Sequence, residues 1–400
     1  MLHRIYFTPG MFGFGRLGAY DYFVHVERAI SARLKAAGFD VQTFVLDVPP
    51  TASIRRRAAR LAELIARTCD MDGRGGPIHL VGHSTGGLDA RLVASPSALL
   101  PVDAAALRWL PRLASVTTMN TPHFGTPLAS FFATVSGQRM LYAVSALTII
   151  ALTLGAPPLA AASAIVMSVG RLDRALGLEL QVLDRTTDAL LRVLDDSRSR
   201  EVKAYLEAIR QDQGSIIQVT PEAMDLFQAG VENRPGVVYQ STASMAPAPT
   251  ATRWMRSVFG PWSVISAPLF ATLYGITSRY DDRYPCAAPH AGLAAETLLV
   301  RAFERAPGAR ANDGVVPLRS QIWGDLVWAG YADHLDVLGH FRGGGGGSAA
   351  SLARTDPLHI DWLSSGAAFG ERAFASLMDA VAEGMKGSAV QAAGVAASDR

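Results

Sequence analysis

The stretch His79-Leu80-Val81-Gly82-His83-Ser84-Thr85-Gly86-Gly87-Leu88 constrains this chain more than any other. An apolar run with strand character leads into it, and helical spacing begins at Leu88 and continues through Leu92. Between the two lies Gly-x-Ser-x-Gly, with a single serine at the bend. A strand that turns sharply into a helix forces the serine outward, the arrangement known as a nucleophile elbow. Gly82 and Gly86 leave room for the backbone to come close. The Ser84 hydroxyl then sits near a helix N-terminus, where amides and the macrodipole favour a developing negative charge. The alternative is that Ser84 is only the N-cap of that helix.

The rest of the chain supplies a setting for such a turn. Strand patterns at 4–8, 40–46, 78–82, 115–120 and 236–241 alternate with helical patterns at 21–37, 53–68, 84–92 and 293–305. A further strand is expected near 271–278, another at 325–330, and a helix near 368–385. Strands that alternate with helices imply a mostly parallel central sheet flanked by helices on both faces. Together with the elbow, this predicts an α/β class chain with the α/β-hydrolase fold and a helical cap or lid insertion. Residues 1–127 and 213–385 read as the two parts of the core, 128–212 as an apolar and amphipathic lid or cap, and 386–400 as a disordered tail. The run RGGGGGS at 342–348 reads as a flexible loop.

From Met140 to Gly170 no residue is charged, and Gly155, Pro157 and Pro158 split the stretch into two apolar segments. Each segment is shorter than the roughly 20 residues of a membrane-spanning helix. A mobile lid over an apolar site, two packed core helices and a membrane hairpin are the three readings.

Composition excludes several classes. With 49% hydrophobic and 18% charged residues, the 400-residue chain can bury a large core. A formal net charge of +2 does not fit a general nucleic-acid binder. Two cysteines, Cys69 and Cys286, offer at most one disulfide and no metal-binding spacing. The N-terminal MLHRIYFTPG runs almost directly into a strand, without the apolar core of a signal peptide. A cytoplasmic or peripheral membrane location is therefore expected, or secretion if the chain starts at a mature end.

A serine needs a base, and the base needs an orienting acid. In this fold the chain order is serine, acid, histidine. Asp313 stands in an Asn-Asp-Gly turn before an apolar strand, and His334 follows in a loop after Asp325–Gly330. His340 and His359 are the competing histidines, and Asp281, Asp282 and Asp325 the competing acids. The oxyanion of a tetrahedral intermediate needs backbone donors, for which the amides of Thr85 and of Met11, in the glycine-rich loop TPGMFGFG, are the natural sources.

The ordered set PGMFGFG, VGHSTGGLDAR, NTPHFGTPLA, NDGVVP and DHLDVLG resembles the motifs of secreted bacterial triacylglycerol lipases of the Pseudomonas and Burkholderia type. The resemblance runs from residue 5 to about 340. It implies a serine carboxyl-ester hydrolase with the triad Ser84, Asp313 and His334, an oxyanion hole of Met11 and Thr85, and no cofactor for the chemistry. It also implies a structural calcium ion with Asp336 as one ligand, for which Asp282 is the second carboxylate we select. Pro9 stands where that family carries a histidine, Thr85 where it carries histidine or glutamine, and no cysteines match its disulfide.

Phe12, Phe14, Phe124 and Leu128 are candidate walls of a substrate pocket. The expected partner is a lipid or ester substrate at a membrane or oil–water interface, with no nucleic acid. An acyltransferase, or a polyester or phospholipid hydrolase, would use the same three residues. A membrane- or partner-binding protein that merely retains the fold is the contrasting class.

Overall fold

The computed structural model describes residues 2–11, 16–17, 20–49, 51–134, 137–138, 140–142, 144–145, 196–250, 261–279, 281–288, 292–341, 361 and 363–398. Six parallel strands form the central sheet: β1 (Leu2–Thr8), β4 (Asp40–Val45), β5 (Ile78–His83), β6 (Leu113–Met119), β7 (Val238–Met245) and β8 (Asp325–Tyr331), in the spatial order β4-β1-β5-β6-β7-β8. A separate two-stranded ribbon pairs β2 (Arg16–Leu17) with β3 (Tyr20–Asp21).

The order of strands locates the site. After β1 the chain moves outward to β4, whereas after β5 it moves the other way to β6. At such a reversal the loops leaving neighbouring strand ends diverge and open a crevice. The loop after β1 and the turn after β5 therefore meet at the carboxyl edge of the sheet.

Alternation along β1 shows how the sheet is covered. Ile5 and Phe7 face one side, with Val26, Ile30 and Leu34 of α1 (Val24–Ala36) and Leu377, Met378 and Val381 of α10 (Glu371–Ser398). Tyr6 faces the other side, with Leu61 and Ile65 of α2 (Ile54–Thr68) and Val93 of α3 (Thr85–Ala94). Removing one of these side chains, as in Leu61→Ala, costs about 2–5 kcal/mol. All seven residues of β1 and all six of β5 are buried, as expected for parallel strands covered on both faces. This is the α/β-hydrolase fold: a parallel sheet between helices with the Gly-x-Ser-x-Gly turn between a central strand and its helix.

The sheet draws its strands from residues 2–119 and 238–331. The intervening chain leaves and returns at one point, where the Thr126 amide donates to the Val219 carbonyl at 3.1 Å. Described parts of it include α4 (Pro127–Phe132), α5 (Asp196–Gln211), α6 (Gly214–Gln218) and α7 (Pro221–Gly230). Met140, Leu141 and Val144 pack with Leu206 and Ile209 of α5 and with Leu88, Leu128 and Met11. The start of the uncharged stretch thus joins an apolar cluster, and most of the remainder of Met140–Gly170 lies outside the described residues. No described helix is long and apolar enough to cross a membrane.

Two expectations need correction. Residues 271–278 are not a strand; 271–277 end the helix α8 (Pro261–Thr277), and α9 (Leu293–Phe303) follows it. Their β-branched and aromatic content has strand character, but Leu269, Phe270, Leu273 and Ile276 recur with helical spacing and are buried. The last helix α10 continues to Ser398 through the segment expected to be a disordered tail, with Ser388 buried. Alanines in that segment favour helix. The glycine loop at 342–348 lies outside the described residues. Cys69 and Cys286 are buried and unpaired with each other.

Candidate active site

Ser84 connects β5 to α3 with φ 54° and ψ −131°, a conformation that non-glycine residues rarely hold. Close backbone packing imposes it. A Cβ on Gly82 would lie 2.4 Å from the Gly86 carbonyl carbon, and one on Gly86 would lie 2.0 Å from the Thr8 carbonyl oxygen. Both glycines are therefore steric requirements. The Ser84 amide donates to the Met119 carbonyl at 2.9 Å, which fixes the turn against β6. Ser84 forms no side-chain cap to its helix, so the N-cap role does not explain it.

The loop after β1 lies directly on the elbow. A Cβ on Gly10 would come within 2.7 Å of the Ser84 Cβ and 3.2 Å of its Oγ. Met11 follows immediately and is buried. Thr85 is the first residue of α3, where the helix has no partner of its own for the amide. Both sequence-selected oxyanion donors thus belong to backbone beside Ser84. A buried ion pair props this loop. Arg57 on α2 contacts Asp89 on α3 at 2.8 Å, and its guanidinium also donates to the Pro9 and Pro49 carbonyls. Burial raises the Asp89 carboxyl to about 6, against the pull of Arg57.

Asp313 and His334 are brought together. Asp313 Oδ2 lies 2.7 Å from His334 Nδ1, and the His334 amide donates to the Asp313 carbonyl at 3.0 Å. The carboxylate is itself oriented at both oxygens. Oδ1 accepts the Val315 and Val316 amides at 2.9 and 2.7 Å, and Oδ2 accepts Asn120 Nδ2 at 2.9 Å. Asn120 holds a positive φ of 49° at the end of β6 and also donates to Ser244 Oγ at 2.6 Å. The acid, in turn, leaves His334 Nδ1 to be the protonated nitrogen and Nε2 to be the basic one. His334 reaches the elbow through His83, whose ring centroid lies 4.7 Å from that of His334.

The competing groups are elsewhere. Asp281 pairs with Arg283 at 2.8 Å, and Asp282 and Asp325 are exposed. His340 packs edge-on to His25, and His359 lies outside the described residues. His123, in the loop between β6 and α4, is fully buried, with Nε2 3.0 Å from Thr118 Oγ1 and Nδ1 3.1 Å from Arg91 on α3, a structural position. Asn120, Tyr22 and His83 were not selected from sequence. Asn120 opens the quoted NTPHFGTPLA segment, and that was the only signal for it.

The pocket candidates divide. Leu128 is buried in the same apolar cluster as Met11, Leu141 and Leu206. Phe124 instead rests its ring on Trp323, at 6.1 Å between centroids. Phe12 and Phe14 lie outside the described residues. A cavity of about 1330 Å³ opens behind the acid loop, lined among others by Met245, Ala246, Tyr274 and Asp336. Neither Ser84 nor His334 lines it, which separates this cavity from the nucleophile elbow.

The calcium site implied by the resemblance is not assembled from Asp336 and Asp282. Asp336 is buried, and its Oδ2 accepts the Asp333 amide at 2.8 Å. Burial and then the charges of Asp333 and Asp361 push its carboxyl well above the usual range. Burial and Asp361 raise Asp333 to about 7. Among the described residues no group of three His, Cys, Asp or Glu is arranged to hold a metal ion. These residues do not fit the expected ion, and no chemical step is routed through one.

No protein-family model matches the chain, and no curated protein matches it. Solved structures similar to it include EstA from Clostridium botulinum, with 18% identity, 92% of this chain and 86% of that chain covered, and a TM-score of 0.48. Lipase 1 from Pelosinus fermentans is similar at 15% identity, with 91% and 97% covered and a TM-score of 0.49. The Staphylococcus hyicus lipase is similar at 17% identity over 96% of each chain, with a TM-score of 0.48.

Proposed function

We propose that this protein is a serine carboxyl-ester hydrolase that cleaves acyl esters of a lipid-like substrate. The observation that carries the reading is the oriented Asp313–His334 pair, whose imidazole packs on His83, the residue before a serine held at positive φ on a strand-to-helix turn. His334 Nε2 would take the Ser84 proton as the oxygen attacks the ester carbonyl. Asp313 fixes the tautomer and offsets the imidazolium charge. The Met11 and Thr85 amides would hold the oxyanion, a contribution worth about 100- to 1000-fold for each donor of this kind. The alcohol then leaves with the proton from His334, and water cleaves the acyl-enzyme by the same route. The apolar cluster joining Met11, Leu128, Leu141 and Leu206 supports an acyl chain as the group bound next to the serine. A structural calcium ion forms no part of this reading.

The test is hydrolysis of p-nitrophenyl esters from short to long acyl chains, with labelling by a fluorophosphonate. Wild type should turn over and be labelled, and Ser84→Ala should do neither. A wild type inert in both assays would overturn the reading. Acyl transfer to an added alcohol in preference to water would change it to an acyltransferase.

A further inference from the structure

His83 occupies the variable position before the nucleophile, and the chemistry above does not use it. It is nonetheless fully buried at the centre of a hydrogen-bonded chain that crosses the site. Its Nε2 lies 2.9 Å from the backbone carbonyl of His334, and its Nδ1 lies 2.7 Å from the Tyr22 hydroxyl. A carbonyl only accepts, so Nε2 carries the hydrogen. Burial, followed by the neighbouring His334, holds the His83 pKa well below its ordinary value, so the ring is neutral. Nδ1 is then bare and accepts from Tyr22. The Tyr22 oxygen in turn accepts the Gly10 amide at 3.4 Å. The polarity is fixed from end to end: Gly10 N–H to Tyr22, Tyr22 O–H to His83 Nδ1, His83 Nε2–H to the His334 carbonyl.

We infer that Tyr22 and His83 are positioning residues that tie the oxyanion loop to the histidine loop across the nucleophile elbow. The inference rests on the hydrolase reading. One end of the chain is Gly10, which touches Ser84 and precedes the oxyanion donor Met11. The other end is His334, the base. The relay therefore sets two catalytic arms against the same serine. A misplacement of about 1 Å in such arms costs roughly 100-fold in rate. Bulk alone does not replace the relay, because an apolar side chain at 83 leaves the His334 carbonyl without its donor in a buried site. The chemistry also favours a neutral neighbour. When His334 accepts the Ser84 proton it becomes an imidazolium, and the His83 ring is 4.7 Å away. A charged ring there would oppose that step.

Four variants separate positioning from packing: His83→Ala, His83→Asn, His83→Gln and Tyr22→Phe. The glutamine amide reaches the place of Nε2 and can donate to the His334 carbonyl, whereas the asparagine amide reaches only the place of Nδ1. Active sites are counted by fluorophosphonate titration, and kcat and KM are measured on p-nitrophenyl butyrate per titrated site. His83→Ala and His83→Asn should lower kcat about 10- to 100-fold, with KM changed by less than about threefold. His83→Gln should recover most of that loss, and Tyr22→Phe should fall between wild type and alanine. Unchanged kcat per titrated site, with losses confined to melting temperature or to the titratable fraction, overturns the inference. So does a glutamine variant as slow as alanine. If the His83 variants fail to fold, Tyr22→Phe decides, since it removes a single oxygen. A wild type that fluorophosphonate does not label removes the hydrolase reading itself, and the relay with it.

Discussion

Buried histidines occur at both ends of the sheet, in contrasting company. At the amino end, His3 Nδ1 lies 3.0 Å from His79 Nε2, and His79 Nδ1 lies 2.8 Å from Ser115 Oγ. At the carboxyl end, His334 Nδ1 lies 2.7 Å from Asp313 Oδ2, and its ring packs 4.7 Å from that of His83, which precedes Ser84. The amino end even presents a close serine–histidine pair, yet it lacks what chemistry needs. Ser115 lies within the strand β6 and is 0% exposed, whereas Ser84 is 7% exposed at a positive-φ turn. His79 is oriented by another imidazole and not by a carboxylate. No helix begins at Ser115 to supply amides for an oxyanion. Hydrogen-bond distance between a serine and a histidine is thus a weak criterion. Backbone strain, an orienting acid and free amides distinguish a reactive serine from a structural one.

The largest test of that contrast exchanges the two serines. Ser84→Ala should lower ester hydrolysis by more than about 10⁴-fold, and Ser115→Ala should keep wild-type kcat per titrated site. Equal losses would break the comparison. Asp313→Asn should lower kcat by about 10³- to 10⁴-fold, because an amide stabilises the wrong tautomer of His334. His79→Asn should leave kcat unchanged in the same steady-state assay.

Stability sharpens the contrast further. Arg57 and Asp89 prop the carboxyl end and are both fully buried, whereas Arg4 at the amino end pairs with Asp72, whose side chain is 32% exposed. Arg57→Leu should cost about 3–5 kcal/mol in urea unfolding, since it strands a buried carboxylate. Arg4→Leu should cost less, and the double variant Arg57→Leu, Asp89→Leu should recover much of the single loss.

The smallest effect is one of pH. Burial lowers His3 to about 4 and His79 to about 3, so the fold keeps both neutral while the unfolded chain protonates them near 6.5. Between those values the unfolded chain binds more protons, so their contribution is present above about pH 6.5 and is lost as pH falls toward 4. Wild type should melt at a lower temperature at pH 5.5 than at pH 7.5. His79→Asn should be less stable at pH 7.5 but show a smaller drop. An unchanged drop would mean that other groups carry the acid sensitivity.

How much of this was legible in the sequence follows from the range of each signal. Ser84 was legible because its turn, glycines and helix are neighbours in the chain. Asp313 and His334 were legible as turn and loop residues in the right order, although their 2.7 Å contact depends on β7 and β8 lying side by side. The roles of Tyr22 and Asn120 are not legible, since nothing local shows which partner a residue has across the sheet; Asn120 reaches Asp313 over 193 positions. The helix at Pro261–Thr277 was misread because apolar residues at its end satisfy strand composition and helical spacing alike. The company of Asp336 was illegible for a related reason: its nearness to Asp361 and Asp333 is set by the fold, not by spacing.

The 3.1 Å contact between Thr126 and Val219 has one more consequence. A segment whose ends already touch can lengthen or shorten at little cost, since doubling a flexible loop adds only about 0.6 kcal/mol. Descendants of this chain could therefore lengthen, shorten or exchange the segment between residues 126 and 219 at that neck. The strand register beneath would not change. The sheet and the inserted segment are separable pieces, and selection can act on one without disturbing the other.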